Sequence, residues 1–152
     1  MNCGSVMSHP LVVVPCGATA SDAAQQMRDG RFGFIAVQSA EGQLVGVLTD
    51  RDLAVRVCAR GLAAEATSVE SVMSSPPVSC RTRDPVEQAE TLMMEHQIQR
   101  LVVLEDDGSP AGLLSLSDLA QCAPPLDLAR LVRQVTAREF RYKGRVAPES
   151  RP

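Results

Sequence analysis

The stretch VGVLTDRDLA at residues 45–54 recurs as AGLLSLSDLA at residues 111–120, 66 positions later. The same offset aligns residues 6–54 with residues 72–120 without a gap. An ungapped internal repeat indicates that one supersecondary unit was duplicated and that its copies pack against each other. Two copies related by an approximate twofold axis form two similar clefts, so the sequence predicts sites that occur in pairs.

Each copy has the pattern strand, helix, strand, strand, helix, judged from hydrophobic periodicity and turn residues. In the first copy the predicted elements are, in order, strand Leu11–Val14, a helix from Thr19 to Gly30, strands Phe34–Val37 and Leu44–Leu48, and a helix from Thr49 to Gly61. This last helix is predicted to turn Leu53, Val57 and Cys58 toward the core.

The second copy repeats this order. Its predicted elements are a strand around Val78, a helix with Asp84 as N-cap and Pro85 at N1, strands Leu101–Leu104 and Ala111–Leu114, and a helix opened by Ser115. A short helical turn is predicted at residues 68–71. After Pro124-Pro125 an apolar stripe predicts an amphipathic helix, and the stripe consists of Leu128, Leu131, Val132 and Val135.

The length of 152 residues suits one compact domain, and 45% hydrophobic residues supply a core. Within it we expect repeat 1 at residues 1–61, a connector at 62–71, repeat 2 at 72–122, and a C-terminal helix with a basic tail at 123–152. The segment 126–152 contains seven Lys or Arg and three Asp or Glu. Because the basic residues are interrupted along the segment, we expect a solvated tail rather than a nucleic-acid-binding one.

The five cysteines are scattered and form no Cys-x-x-Cys pair, which argues against a disulfide framework or a zinc site. His9 and His96 have no companions at metal-ligand spacing, so no metal is expected. The apolar run at residues 11–14 is too short for a signal peptide or a membrane span. These features predict a cytoplasmic protein that does not enter the membrane.

The string Gly-x-x-Ser/Thr-x-x-Asp appears at residues 46–52 and again at 112–118, each time where a strand runs into a helix. Unpaired N–H groups at a helix N-terminus favour an anion such as phosphate. A carboxylate one turn further on can accept hydrogen bonds from a ribose diol. The same residues also make ordinary capping boxes, and duplication copies caps as readily as sites, so both interpretations stay open.

These features resemble a tandem pair of CBS domains, known as a Bateman module. The repeated Val-Met, the Ala-x-x-x-Met helix, the Asp/Glu-Gly hairpin and the closing Thr/Ser-x-x-Asp-Leu carry the resemblance over residues 5–122. Residues 45–54 are typical of stand-alone bacterial CBS-pair proteins. Residues 99–121 (QRLVVLEDDGSPAGLLSLSDLAQ) are similar to the last CBS repeat of the γ subunit of AMP-activated protein kinase.

The resemblance implies an α+β fold in which two β-α-β-β-α repeats pack about a pseudo-twofold axis. It also implies clefts for AMP, ADP, ATP or S-adenosylmethionine as regulatory ligands. Asp52 and Asp118 would hold the two ribose groups. The residues expected near ribose or phosphate are Thr49, Arg51, Ser115 and Ser117. The residues expected at adenine are Val12, Phe34 and Leu113 in the Asp118 site, and Val78, Arg100 and Val47 in the Asp52 site.

The sequence contains no arrangement that suggests an activated nucleophile, so we expect a non-enzymatic regulatory module that acts on an effector protein still to be identified. The alternative is a dimeric interaction module whose clefts bind no ligand. We also expect a homodimer, because apolar helix residues such as Leu53, Val57 and Met93 exceed what one small core can cover.

Overall fold

The computed structural model describes residues 1–122 and 124–137, so the tail expected beyond Thr136-Ala137 lies outside the described residues. The strands are β1 Val13–Pro15, β2 Phe34–Gln38, β3 Leu44–Thr49, β4 Ser79–Arg81, β5 Arg100–Leu104 and β6 Pro110–Ser115. The α-helices are α1 Ala20–Gly30, α2 Asp50–Asp52, α3 Val69–Val72, α4 Val86–His96, α5 Leu116–Leu119 and α6 Pro125–Val135.

The six strands form two sheets of the same design, with orders β1-β2-β3 and β4-β5-β6. In each sheet the first strand is parallel to the middle strand, and the middle strand is antiparallel to the third. The registers repeat as well, since Val13 lies opposite Ala36 and Ser79 lies opposite Val102. The fold is therefore the α+β pair of β-α-β-β-α repeats expected from the sequence.

Helix α1 begins as its sequence predicts. The Thr19 hydroxyl accepts from the amide of Asp22 at 3.0 Å, and the Asp22 carboxylate accepts from the amide of Thr19 at 3.2 Å. This reciprocal pair satisfies two N–H groups that the helix leaves free. The helix ends at Arg31, whose left-handed φ of 56° lets its amide bond back to the last turn.

The predicted cap of α4 is wrong by one residue. Pro85 is the N-cap, because its extended backbone (φ −64°, ψ 147°) stands outside the helix that begins at Val86. The Asp84 carboxylate instead accepts from the amide of Arg81 at 2.7 Å, which closes the loop after β4.

The helix predicted from Thr49 to Gly61 is not a uniform α-helix. After α2 the chain forms a π-helical turn at Leu53–Val57 and a 3₁₀ turn at Cys58–Arg60, and it ends at Gly61 with φ 66°. A π turn holds more residues than an α turn, so the residues after it point away from the face that a 3.6-residue period predicts. Cys58 is accordingly exposed, contrary to its predicted inward position.

Each repeat is completed by the segment of chain that leads into the first strand of the other repeat. We call these two segments, one containing Ser8 and the other containing Ser74, the crossing segments. Ser8 exchanges two backbone hydrogen bonds with Leu113 of β6, and Ser74 exchanges the equivalent pair with Val47 of β3. The first pair measures 2.7 and 3.1 Å, and the second 2.8 and 3.1 Å. The exchange is the same in both directions, as a pseudo-twofold axis between the two halves requires.

The crossing segments explain the glycine of the repeated string. A side chain on Gly112 would place its Cβ 3.0 Å from the carbonyl oxygen of Ser8, and one on Gly46 would stand 3.1 Å from that of Ser74. Neither distance leaves room for a Cβ atom without displacing the crossing backbone. Glycine at these two positions therefore serves the packing between the repeats.

The same exchange fills the two cores. Cys3, at the start of the chain, is fully buried among residues of the second repeat such as Cys80 and Leu114. Val69 and Val72 of α3 are buried among residues of the first repeat. A third buried cluster joins the facing sheets through Phe34, Ala36 and Val102. The cores thus depend on chain segments that cross from one repeat to the other.

The crossing segments remove the sequence-based reason for a dimer. Val57 is 2% exposed and Met93 is fully buried, while Leu53 packs against the first core. The apolar surface that we expected these residues to leave uncovered is therefore already buried within one chain. The large apolar side chains that remain exposed in the described part are Met1, Val55, Leu62, Leu126 and Val132.

Helix α6 forms as the apolar stripe predicts and packs against α4. Leu131 and Val135 are buried in the second core, whereas Val132 of the same stripe is partly exposed. The helix thereby extends the second core beyond the two repeats. Within the described residues, no helix combines the length and apolar character needed to cross a bilayer.

The contact between α4 and α6 places carboxylates near one another. Burial raises the pKa of Glu90 above its ordinary value, and the charges of Glu87 and Asp127 raise it further. A carboxylic acid whose pKa is raised by folding destabilises the fold at pH values where it is ionised.

We expect the substitution Glu90→Gln to stabilise the protein at pH 7 by about 0.2–0.5 kcal/mol, the usual cost of a like-charge pair on a helix. The gain should disappear as the pH falls below about 4, because Glu90 is then protonated in both the folded and the unfolded chain. Urea unfolding at pH 7 and at about pH 3, below the ordinary pKa of a glutamate, measures both values. A Glu90→Gln chain that is less stable than wild type at pH 7 would contradict this explanation.

Candidate functional site

Two open clefts lie between the repeats. We call the first the Asp52 cleft, a space of about 530 Å³ that Asp52 lines together with Val47 and Val78. We call the second the Val12 cleft, a space of about 600 Å³ lined by Val12 and Leu113. Val47 and Leu113 occupy equivalent positions in the two repeats, as do Val12 and Val78, so the clefts are related by the internal repeat.

The Asp52 cleft brings together all six residues that the resemblance assigns to it. They are Val47, Thr49, Arg51, Asp52, Val78 and Arg100. Four come from the junction of β3 and α2, one from the crossing segment before β4, and one from the start of β5. A site assembled from both repeats requires the pair to be folded as a unit.

Asp52 is held by a capping box at the start of α2. Its carboxylate accepts from the amide and the hydroxyl of Thr49, each at 2.9 Å, and its own amide donates to that hydroxyl at 3.1 Å. Both bonds that the carboxylate accepts end on one oxygen, Oδ2. The Thr-x-x-Asp string therefore does cap the helix. The other carboxylate oxygen, Oδ1, has a different partner.

That partner is Arg56, which the sequence-based list of site residues omitted. Its guanidinium lies 3.3 Å from Oδ1 of Asp52 and also donates to the Val72 carbonyl at 2.7 Å and the Ser74 hydroxyl at 3.2 Å. Arg56 belongs to the π-helical turn, a distortion often found at functional sites. Its spacing of four residues from Asp52 was the one local signal of this ion pair.

Asp118 has the same capping box with Ser115. Its Oδ2 accepts from the Ser115 amide at 2.8 Å and from the Ser115 hydroxyl at 2.5 Å. Its Oδ1 accepts from the hydroxyl of Ser8 at 2.5 Å, where Asp52 has an arginine. The position equivalent to Arg56 is Cys122, which explains why this carboxylate bonds directly to the crossing segment.

The two carboxylates therefore sit in different electrostatic settings. Burial works against ionisation of Asp118, but hydrogen bonds from Ser115 and Ser8 outweigh it and hold the pKa of Asp118 below its ordinary value. Asp118 is thus an anion stabilised by hydroxyl and amide groups. The Asp52 carboxylate, in contrast, has the guanidinium of Arg56 beside it.

The Val12 cleft contains the predicted adenine wall of the Asp118 site, namely Val12, Phe34 and Leu113. Three arginines also line it: Arg28, Arg31 and Arg100. The polar residues assigned to this site, Ser115, Ser117 and Asp118, are not among its lining residues. All six residues predicted for the Asp52 site thus line one cleft, whereas only the apolar residues predicted for the Asp118 site line the Val12 cleft.

The described part of the chain contains no group of three His, Cys, Asp or Glu side chains placed to hold a metal ion. The five cysteines are free thiols, of which Cys3 and Cys80 lie side by side in the second core. The chemistry that the clefts offer is therefore that of carboxylates, guanidinium groups, hydroxyls and apolar walls.

Comparisons with known proteins agree with this architecture. The model of the CBS domain family matches residues 3–58 and again residues 69–124. The CBS domain-containing protein YhcV of Bacillus subtilis is 38% identical over 114 residues, which cover 75% of this chain and 79% of YhcV. The solved structure of CBS domain protein PAE2072 from Pyrobaculum aerophilum complexed with AMP is 26% identical. It aligns with a TM-score of 0.74 over 87% of this chain and 98% of that one.

Some relatives are longer than the matched region. The uncharacterized protein MK0525 of Methanopyrus kandleri is 26% identical over 123 residues, which are 81% of this chain but 63% of MK0525. Such relatives share the repeats and contain further sequence. With both repeats matched by the family model, and with two equivalent sheets joined by crossing segments, the chain belongs to the CBS domain family as a tandem pair.

Proposed function

We propose that the protein is a non-enzymatic regulatory module that binds an adenosine-containing ligand (AMP, ADP, ATP or S-adenosylmethionine) between its repeats. One observation carries the proposal: the Asp52 cleft gathers a carboxylate, arginines and an apolar wall from both repeats in one space. The similar protein PAE2072 was solved in complex with AMP, which supports the same class of ligand here.

Each part of the Asp52 cleft matches one part of such a ligand. The Asp52 carboxylate can accept hydrogen bonds from the two ribose hydroxyls, because each oxygen has more than one lone pair. Arg51, Arg56 and Arg100 supply guanidinium groups for phosphate oxygens. Val47 and Val78 offer an apolar surface to adenine. A ligand held this way contacts both repeats and stabilises their association.

The alternative function is an interaction module whose clefts bind no ligand. Two observations favour it: both Asp52 and Asp118 already form complete capping boxes, and Asp118 does not line the Val12 cleft. In this account the repeated string exists because duplication copied a helix cap. The two functions differ in whether nucleotides stabilise the folded chain.

Thermal unfolding with AMP, ADP, ATP and S-adenosylmethionine tests the proposal, with GMP as the matched control. A ligand that binds only the folded state adds about 2.7 kcal/mol of stability at a hundred times its Kd. We expect a concentration-dependent rise in Tm with at least one adenosine ligand and a smaller rise with GMP. Unchanged melting with all four would favour the interaction module.

We further propose a cytoplasmic homodimer that acts on an effector protein. The support is the odd number and scattered spacing of the cysteines, the exposed apolar side chains of Val55 and Leu62, and the tendency of proteins with twofold-related surfaces to form closed dimers.

We expect light scattering at micromolar concentration to give twice the 16.2 kDa mass of one chain. Charged substitutions at both exposed positions, Val55→Glu with Leu62→Glu, should reduce the measured mass toward one chain, because buried unpaired charges oppose association. A wild-type protein that stays at 16.2 kDa throughout would contradict the dimer.

A further inference from the structure

Three residues line both clefts at once: Phe34, Asp50 and Arg100. Phe34 and Arg100 occupy equivalent positions, and each begins the middle strand of its sheet. These middle strands face each other through the cluster that contains Phe34, Ala36 and Val102. A residue close to a twofold axis borders both of the clefts that the axis relates. The two clefts therefore share one wall.

The shared wall is asymmetric in charge. One of its two equivalent positions is an apolar ring, Phe34, and the other is an exposed guanidinium, Arg100. The ion pairs among the described residues are Arg28–Asp29, Arg56–Asp52 and Arg83–Asp106, so Arg100 has no ionic partner in the described chain. The Arg100 guanidinium, which forms no ion pair with a described residue, therefore lies between the two clefts.

The rest of each cleft has its own cations. Arg51 and Arg56 line only the Asp52 cleft, whereas Arg28 and Arg31 line only the Val12 cleft. The exposed carboxylate of Asp50 borders both and repels anions in either one. Among the described residues, Arg100 is therefore the one guanidinium that lines both clefts and can offset Asp50 for an anionic ligand in either of them.

We infer that the two clefts bind phosphate-bearing ligands with negative coupling, because Arg100 serves one ligand at a time. This inference rests on the proposed function. The planar guanidinium makes directed, charge-assisted hydrogen bonds to phosphate oxygens. When the Arg100 side chain turns into one cleft, it cannot bond to a ligand in the other. Such coupling is reciprocal, and we expect the second AMP to bind about tenfold more weakly than it would with the neighbouring cleft blocked.

The test uses two variants that each leave one cleft open. Val47 lines only the Asp52 cleft and Leu113 lines only the Val12 cleft, so the bulky side chains of Val47→Trp and Leu113→Trp obstruct one cleft each. Thermal melting shows whether each variant folds. Val47→Asp and Leu113→Asp, which repel AMP from the same clefts, replace a tryptophan variant that does not fold.

Calorimetric titration of AMP into wild type and both single-cleft variants then measures the coupling. At each AMP concentration, we expect wild type to bind less AMP than the sum of the two single-cleft variants. The second AMP should bind to wild type about tenfold more weakly than AMP binds to that cleft in its single-cleft variant. Adding Arg100→Gln to each single-cleft variant should weaken AMP binding in both. Adding Arg51→Gln, the matched control, should weaken it only where the Asp52 cleft is open. Uncharged adenosine should give the simple sum.

The outcomes are separable. A wild-type AMP isotherm equal to the sum, an effect of Arg100→Gln on only one cleft, or AMP binding in only one of the single-cleft variants overturns the coupling while leaving the proposed function standing. A wild-type stoichiometry of one, with each single-cleft variant binding one AMP, is the limiting case of the coupling and supports it. A wild-type protein that binds no adenosine ligand overturns the proposed function and the coupling together.

Discussion

Replacing Asp52 by alanine is expected to weaken AMP binding by about 1.5–3 kcal/mol, roughly 10- to 150-fold in Kd. The carboxylate is proposed to accept charge-assisted hydrogen bonds from the ribose diol, and alanine offers no acceptor. The same substitution also removes a capping-box partner, which costs about 1 kcal/mol of folding stability. Isothermal titration and urea unfolding on the same sample separate the two effects.

The chain contains a matched control for the cap. Asp22 forms the same capping box with Thr19 at the start of α1, and neither residue lines a cleft. Asp22→Ala should therefore lose about as much stability as Asp52→Ala while keeping the wild-type affinity for AMP. Equal AMP affinities in the two variants would mean that Asp52 acts only as a cap.

Asp118→Ala completes the comparison. Its carboxylate is tied to Ser115 and Ser8, so its removal should destabilise the contact between the N-terminal segment and the second repeat. We expect weaker AMP binding here as well, as the resemblance implies for the second ribose site. Stability loss without any change in affinity would assign Asp118 to the crossing segment alone.

The largest effect on stability is expected in α6. Leu131→Ala should destabilise the chain by about 2–5 kcal/mol, because the side chain is 1% exposed within the second core and its loss leaves a cavity. Urea unfolding measures this directly. Such a loss would make α6 part of the structural unit, although it follows both repeats in the sequence.

Leu126 provides the comparison within the same helix. It is 85% exposed, so Leu126→Ala should change stability by no more than about 0.5 kcal/mol. A Leu131→Ala chain as stable as the Leu126→Ala chain would show that α6 does not hold the second core together in solution.

The fold could be predicted from the sequence because duplication repeats every local signal. The apolar strands around Ile35 and Leu101 align at the same offset as the caps Thr49 and Ser115, and the sheets have equal orders as a result. Local signals failed where the backbone departs from ideal periods. The π-helical turn rotates Cys58 outward, and the extended conformation of Pro85 takes the cap position from Asp84.

Contacts between distant segments could not be predicted in this way. Nothing in the sequence around Met93 or Val57 indicates that the crossing segments pack in the same cores as these side chains. The expectation of an uncovered apolar surface was therefore wrong. Arg56 reaches Val72 and Ser74, which lie 16 and 18 residues away. The residues that line the Asp52 cleft could be grouped from the sequence only because the resemblance names residues from both repeats. Hydrophobic periodicity describes one helix or strand at a time and does not show which elements meet.

Binding of an adenosine-containing ligand in the Asp52 cleft is the core of the proposed function. Calorimetric titration of AMP into wild type, Asp22→Ala and Asp52→Ala, with ADP, ATP and S-adenosylmethionine as further ligands, tests it most directly. We expect saturable binding of at least one of these ligands, with equal affinity in wild type and Asp22→Ala and an affinity weakened roughly 10- to 150-fold in Asp52→Ala. Saturable binding that is the same in all three proteins, or no binding of any of the four ligands to wild type, would contradict it.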